Sequence, residues 1–255
     1  MVPVKQSKLK NIHDILLKQY GPQGWWPLLE LDDGIEGEKC TSNNKSRPKN
    51  KGCNPTKTGS INGYHPGDYS YPKTEAQKFE ICVGAILTQN TSWPNVEKAL
   101  LRMQKKKAVN PKAILVFKDD ELTDLIRPAG YFNQKCKKLK IFSAFYITLE
   151  GRTPTRDQLL SVWGIGPETA DSILLYAYKV PVFVVDAYTK RVFSELRLIK
   201  KDADYEDIRM FFEKALPHDI KIYQEFHALI VEHAKRYYSK KPYGQGCNLR
   251  KFINK

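Results

Sequence analysis

Leu159-Leu-Ser-Val-Trp-Gly-Ile-Gly-Pro-Glu-Thr-Ala170 is the stretch from which the rest of the chain is read. One helix ends at the turn Gly164-Ile165-Gly166, and the next begins at Pro167. Two glycines permit positive φ and a close approach by another backbone. Proline suits the first position of a helix, where the missing N–H costs nothing. The turn therefore offers free backbone N–H groups at a helix N-terminus, a place suited to a phosphate. Gly164, Ile165, Gly166 and Thr169 are its candidate phosphate-binding residues, with Ile165 also anchoring the turn in the core. L-x-G-x-G is also a common tight turn between helices, so the phosphate reading depends on what surrounds it.

Working outward, the apolar run Val182-Phe-Val-Val185 ends in Asp186, twenty residues after Gly166. Aspartate is a favoured helix N-cap. Capping and a functional role are compatible, because capping N–H groups would hold the carboxylate ionised and aimed. The run Val180–Val185 is β-like but isolated, and its proline fits a connector better than a sheet. Helical spacing covers roughly 5–20 and then 74–88, 92–104, 119–126, 133–148, 155–161, 168–178, 187–197, 204–215 and 219–239. The expectation is an all-α fold of two helical lobes. Residues 1–30 form a helix and a Trp loop packed with the C-terminal lobe. Residues 31–73 are a Gly/Asn/Pro-rich insertion, basic across 45–57. Residues 74–180 make one lobe, 181–240 the second, and 241–255 a basic tail.

The chain has 255 residues, and 42 Lys+Arg against 28 Asp+Glu give a net charge of +14. With 41% hydrophobic and 27% charged residues, wholesale disorder is excluded. No apolar stretch approaches the roughly 18–20 residues needed to span a bilayer. The N-terminus lacks the apolar centre of a signal peptide, so an intracellular location is expected. Cys40, Cys53, Cys82, Cys136 and Cys247 are scattered without a C-x-x-C pair, which argues against a disulfide scaffold or a zinc site. The positive surplus favours a polyanionic partner, nucleic acid first. Its clusters at Lys135 to Lys140, in the C-terminal tail and across 45–57 are the expected sequence-independent phosphate contacts.

Gly164-Ile-Gly-Pro-Glu-Thr-Ala-Asp-Ser through Val185-Asp186-Ala-Tyr-Thr-Lys-Arg191 resembles the helix-hairpin-helix plus Gly/Pro-x-Asp signature of the endonuclease III-like DNA glycosylase (HhH-GPD) superfamily. Two further segments carry the likeness: Phe79 to Thr91, ending in Leu-Thr-Gln-Asn-Thr, and Arg127-Pro-Ala-Gly-Tyr-Phe-Asn-Gln-Lys135. In all it covers about residues 74–240. The resemblance implies a cleft between two lobes with Asp186 as the catalytic carboxylate. It also implies duplex DNA as partner, acted on by a monomer. A carboxylate there stabilises the oxocarbenium-like state of glycosidic hydrolysis and can orient the attacking water. Gln89, Asn90 and Tyr131 match the family's gap-filling residues, which occupy the stack after the base is flipped.

The family's bifunctional members carry a lysine two residues after the second hairpin glycine; here the position is Glu168. A carboxylate cannot form a Schiff base, so a monofunctional enzyme is expected, with AP lyase activity in doubt. Many relatives hold an iron–sulfur cluster on four C-terminal cysteines, and here only Cys247 remains, so no cluster and no metal are expected. Trp25, Trp26 and Pro27, with Trp93 after the Gln-containing turn, are the candidate base pocket, since indoles stack on flat bases and attract cationic ones. These features look most like the 3-methyladenine DNA glycosylase III branch and point to an alkylated purine. Trp93 and the 31–73 insertion depart from that branch, and Tyr64, His65 or Tyr69 could rim the pocket. Trp163 and His227 are read as core residues, and Glu168 is assigned no chemistry. The rival readings are an endonuclease III-like glycosylase with lyase activity and a non-catalytic DNA-binding hairpin module.

Overall fold

The computed structural model describes residues 4–29 and 63–253. Cys40, Cys53 and the basic stretch 45–57 lie outside the described residues. Among the described residues eleven α-helices follow one another: α1 (Val4–Tyr20), α2 (Glu75–Thr88), α3 (Trp93–Lys105), α4 (Pro111–Val116), α5 (Asp119–Ile126), α6 (Phe132–Thr148), α7 (Arg156–Ser161), α8 (Pro167–Ser172), α9 (Ala187–Glu195), α10 (Tyr205–Ala215) and α11 (Ile220–Tyr237). Short polar residues start most of them. Thr74 and Thr155 form capping boxes with Gln77 and Gln158, while Asn110, Asp204 and Asp219 accept from the first-turn amides. Helix α4 has no counterpart among the helices expected from spacing; it is six residues long, with Ile114 its one buried residue. So short a piece leaves too few apolar positions for a period to be read.

The fold class is all-α, as expected. In the middle of the chain α4 and α5 pack on α6, α3 packs on α5, and α2 lies against α3, α6 and α8. At the other end α1 crosses from the N-terminus to pack on α10 and α11, with α11 against α9. A continuous apolar core joins these groups, including Phe79, Phe142, Ile173, Phe183, Phe212 and Phe226. Beyond α8 the helix continues as a π turn through Ile173–Ala177, all five residues buried.

Val180–Val185 forms no strand, and its amides are served by other means. Val180 N–H bonds the Leu174 carbonyl at 2.9 Å, Phe183 N–H bonds Glu213 Oε1 at 3.0 Å, and Val185 N–H bonds the Tyr205 hydroxyl at 3.4 Å. Side chains of α10 thus do what a neighbouring strand would do for buried backbone. The segment lays Asp186 at the head of α9. No described helix is long and apolar enough to cross a membrane.

Candidate active site

Asp186 is the N-cap of α9, and its Oδ1 accepts the Thr189 N–H at 2.7 Å. Its other oxygen, Oδ2, lies 3.9 Å from His227 Nε2, and only 14% of the side chain is exposed. His227 is buried on α11, with Nδ1 2.8 Å from the Tyr176 hydroxyl and Nε2 without a hydrogen-bond partner. Burial pushes its pKa down, which the nearby Asp186 charge partly opposes. The histidine is therefore buried, as expected of a core residue, but it also faces the candidate catalytic carboxylate. Sequence reasoning missed that contact, because His227 and Asp186 are forty-one residues apart and meet only through the packing of α9 on α11.

The hairpin turn has Gly164 at φ +85°, where a Cβ would also collide with the Lys138 side chain at 2.7 Å. Gly166 adopts extended backbone at φ −95°, so only the first glycine supplies the left-handed conformation. Ile165 is buried, and its N–H turns back to the Val162 carbonyl at 3.0 Å. Thr169 points inward rather than toward solvent: its hydroxyl accepts from Gln89 Nε2 at 2.9 Å. Gln89 Nε2 also bonds the Gly164 carbonyl at 3.1 Å, and Lys138 Nζ donates to Gln89 Oε1 at 2.5 Å. Gln89 is thus held by the hairpin on one side and by α6 on the other. Trp163, expected in the core, is instead 45% exposed beside the turn, with Lys137 Nζ 4.4 Å from its ring centre.

Tyr131 and Asn90 project outward. Tyr131 is 68% exposed and sits at φ 47°, in the left-handed region, after Gly130. Asn90 is exposed and also left-handed, at φ 53°. A buried ammonium ties their two loops together: Lys135 Nζ donates to the carbonyls of Leu87 and Ala129, each at 2.8 Å. Burial lowers its pKa to about 8. The expectation that Lys135 contacts phosphate is corrected, because these carbonyls turn its ammonium into the protein. Lys140 is likewise engaged, by Asp119 and the Phe117 carbonyl.

Trp26 and Pro27 are buried, whereas Trp25 and Trp93 are half-buried. Trp25 stands edge-on to His227, with ring centres 5.6 Å apart. Trp26 meets Trp93 and Tyr176 edge-on at 5.4 and 5.5 Å. The described end of the insertion clamps this loop from outside. Leu28 N–H bonds the Gly63 carbonyl, His65 N–H bonds the Gly24 carbonyl, and His65 Nε2 lies 3.0 Å from the Trp26 carbonyl. Glu225 of α11 accepts both the Gln23 N–H and the Tyr69 hydroxyl, at 2.5 and 2.9 Å.

The Asp186 charge also acts on two more ionisable groups. Glu168, in the first turn of α8, is exposed, and local desolvation first and the Asp186 charge second push its carboxyl pKa upward. Lys235 follows His227 and Val231 at intervals of four on α11, which places all three on one face. Burial lowers its pKa, and the charges of Glu232 and Asp186 pull the other way.

The C-terminal loop does not offer the ligands of an iron–sulfur cluster. Its one cysteine, Cys247, is buried, with Sγ 3.0 Å from His233 Nε2 and accepting from the Tyr238 hydroxyl at 3.2 Å. Cys82 and Cys136 are buried in α2 and α6, and no group of three metal-binding side chains occurs among the described residues. Tyr20 completes the arrangement by bonding His233 Nδ1 at 2.8 Å.

Residues 83–218 match the model of the HhH-GPD superfamily base excision DNA repair proteins. A Methanocaldococcus jannaschii protein provisionally named a DNA repair glycosylase is 47% identical, over 98% of both chains. Endonuclease III of Thermotoga maritima is 28% identical across 57% of this chain and 68% of its own. Among solved structures, Helicobacter pylori 3-methyladenine DNA glycosylase bound to 1,N6-ethenoadenine is 32% identical, with a TM-score of 0.55 over 62% of this chain and 85% of that one. An endonuclease III–DNA complex shares the fold, with a TM-score of 0.67 over 97% of this chain at 19% identity.

Proposed function

Because the chain belongs to the HhH-GPD superfamily of base excision DNA repair proteins, we propose that it is a monofunctional DNA N-glycosylase acting on duplex DNA as a monomer. The observation that carries this reading is the fixed Asp186 carboxylate, held by Thr189 N–H at 2.7 Å beside His227, whose ring Trp25 meets edge-on. A carboxylate so fixed stabilises the positive charge that grows on the sugar and orients the water that attacks it. Gln89, Asn90 and Tyr131 fill the gap left by the flipped base. The hairpin amides around Gly164 and Gly166 grip a phosphate.

The base we assign is an alkylated purine of the 3-methyladenine kind. The likeness to the H. pylori enzyme supports it, as does the aromatic group of Trp25, Trp26, Trp93 and Tyr176. A cationic base gains from indole faces and already carries the charge that weakens its bond. The enzyme works without an iron–sulfur cluster, the Tyr20–His233–Cys247–Tyr238 contacts taking over that end of the fold.

Lys235 favours a second reading. Glu168 removes the hairpin amine, yet Lys235, about two turns beyond His227 on the same face of α11, keeps an amine whose pKa burial lowers and on which the Asp186 charge acts. Such an amine could attack the sugar and cleave the strand. Duplexes carrying 3-methyladenine, 7-methylguanine, an oxidised pyrimidine or 8-oxoguanine, scored with and without alkali, separate the two. The monofunctional reading expects breaks only after alkali. Breaks without alkali, with a borohydride-trapped adduct lost in Lys235→Gln, establish the lyase instead. Asp186→Asn should slow base release by about 10²–10⁴-fold while leaving DNA binding intact; full activity in that variant refutes the mechanism.

A further inference from the structure

The connector Val180–Val185, which delivers Asp186 to the head of α9, is gripped by a chain of alternating charges. Its first member, Asp171 on α8, is fully buried and bound by Arg156, Nε to Oδ1 at 2.7 Å and Nη2 to Oδ2 at 3.2 Å. The same Arg156 Nη2 reaches Glu206 Oε1 at 2.5 Å. Glu206 Oε2 accepts from Arg209 Nε at 3.0 Å, and Arg209 Nη1 donates to Glu213 Oε2 at 2.7 Å. Glu206, Arg209 and Glu213 follow at intervals of three and four on α10, so they stand on one face. Arg156 opens α7 and Asp171 lies in α8, the two helices that flank the Gly164–Gly166 turn.

Both ends of the chain finish on the connector. At one end Asp171 Oδ2 accepts the Tyr205 hydroxyl at 2.8 Å, and that hydroxyl accepts the Val185 N–H at 3.4 Å. At the other end Glu213 Oε1 accepts the Phe183 N–H at 3.0 Å. Asp186 follows the second of these held residues directly. Asp171 is wholly shielded from solvent, and Arg156, Arg209 and Glu213 are largely so. Taking such charges out of water costs about as much as their pairing returns, and apolar packing would hold the helices equally well. What the charges add is direction, because each planar guanidinium fixes the carboxylates on either side of it.

We infer that the chain Asp171–Arg156–Glu206–Arg209–Glu213, together with Tyr205, positions the Asp186 carboxylate by fixing its connector to the helices of the hairpin. A duplex gripped at the hairpin is thereby held in register with the carboxylate that works on its sugar. None of these residues touches the reacting atoms; they act through the backbone of residues 183–186. Thr189 N–H fixes one Asp186 oxygen from within α9, whereas the chain fixes where the head of α9 stands. The inference rests on the proposed roles of Asp186 and the hairpin, and adds positioning residues to them. Register of this kind matters because misplacing a reacting group by roughly 1 Å costs about 10²-fold in rate.

Two variants test it. Tyr205→Phe removes the hydroxyl and keeps the ring, and Arg156→Met cuts the chain beside the hairpin. At saturating duplex carrying 3-methyladenine or 7-methylguanine, each should slow single-turnover base release by about 10–100-fold while changing duplex affinity less than about threefold. The double variant should be no slower than the slower single one, because both interrupt the same connection. Exchange of the Thr189 amide proton, read by NMR without substrate, should quicken about fivefold in both variants, since that proton reports the Asp186 cap. A wild-type rate and wild-type Thr189 exchange in Tyr205→Phe, well below its unfolding temperature, overturn the inference even if the variant melts earlier. A loss of affinity equal to the loss of rate overturns it too. Full activity of Asp186→Asn, or no base release by wild type, instead refutes the glycosylase reading, and the Thr189 exchange still decides the positioning.

Discussion

Gln89 donates its side-chain amide to the Thr169 hydroxyl at 2.9 Å, joining the loop after α2 to the hairpin helix across eighty residues. A residue matching the family's gap fillers and the candidate phosphate clamp are therefore parts of one assembly, and displacement of either is felt by the other. Thr169→Val removes only this bond. A net hydrogen bond of about 0.5–1.5 kcal/mol predicts slowing of base release by up to about tenfold. Gln89→Ala, which also loses the Gly164 and Lys138 contacts, should slow it further. Single-turnover assays on one duplex substrate measure both.

Tyr131 predicts a separation between stability and activity. The side chain is largely exposed, so Tyr131→Ala should change unfolding free energy by no more than about 0.5 kcal/mol. In the proposed gap-filling role its work is confined to a paired strand, where an extruded base leaves a gap. Activity on duplex should therefore fall at least about tenfold, while activity on the same lesion in single-stranded DNA, already unpaired, should hardly change.

The Lys137–Trp163 pair gives a salt-dependent prediction. An exposed indole carrying a cation beside the hairpin suits contact with the sugar–phosphate backbone. Lys137→Ala should lower the slope of log affinity against log salt by about 0.9, the value of one phosphate contact, without changing base preference. Fluorescence anisotropy across a salt series reads the slope.

His233 sets an acid limit on stability. It is fully buried, and burial first, then Arg236, lowers its pKa to about 4 from an ordinary 6.5. A depressed folded-state pKa means the stabilisation is complete above pH 6.5 and is lost as pH falls toward 4, because the unfolded chain takes the proton first. The loss amounts to roughly 3 kcal/mol. Urea unfolding between pH 7 and 4 should show it, and His233→Gln should remove most of that slope.

Much of this was legible in the sequence, and what was not has identifiable physical causes. The Gly164–Gly166 turn and Pro167 gave the hairpin because they are local backbone requirements, and Asp186 could be placed because capping is local too. The all-α class followed from helical spacing that core packing enforces. Burial direction was less accessible. Trp163 looked like core from composition, yet the turn it precedes swings it outward; Lys135 looked like a surface cation, yet two carbonyls from separate loops draw it in. The meeting of His227 with Asp186 depends on how α9 packs on α11, which no single window of sequence contains.

One glycine governs a dimension that no site residue controls. A Cβ at Gly84 would stand 3.1 Å from Trp26 Nε1 and 3.2 Å from its Cζ2, so α2 leaves just enough space for the indole to lie against its backbone. An added methyl would drive Trp26 forward onto Trp93 and Tyr176, the rings it already touches. The position of the Trp26 indole within the aromatic group is thus set from behind, by a missing side chain on α2. In the proposed base pocket, variation at that one position would reshape the recess while every ring around it stayed the same.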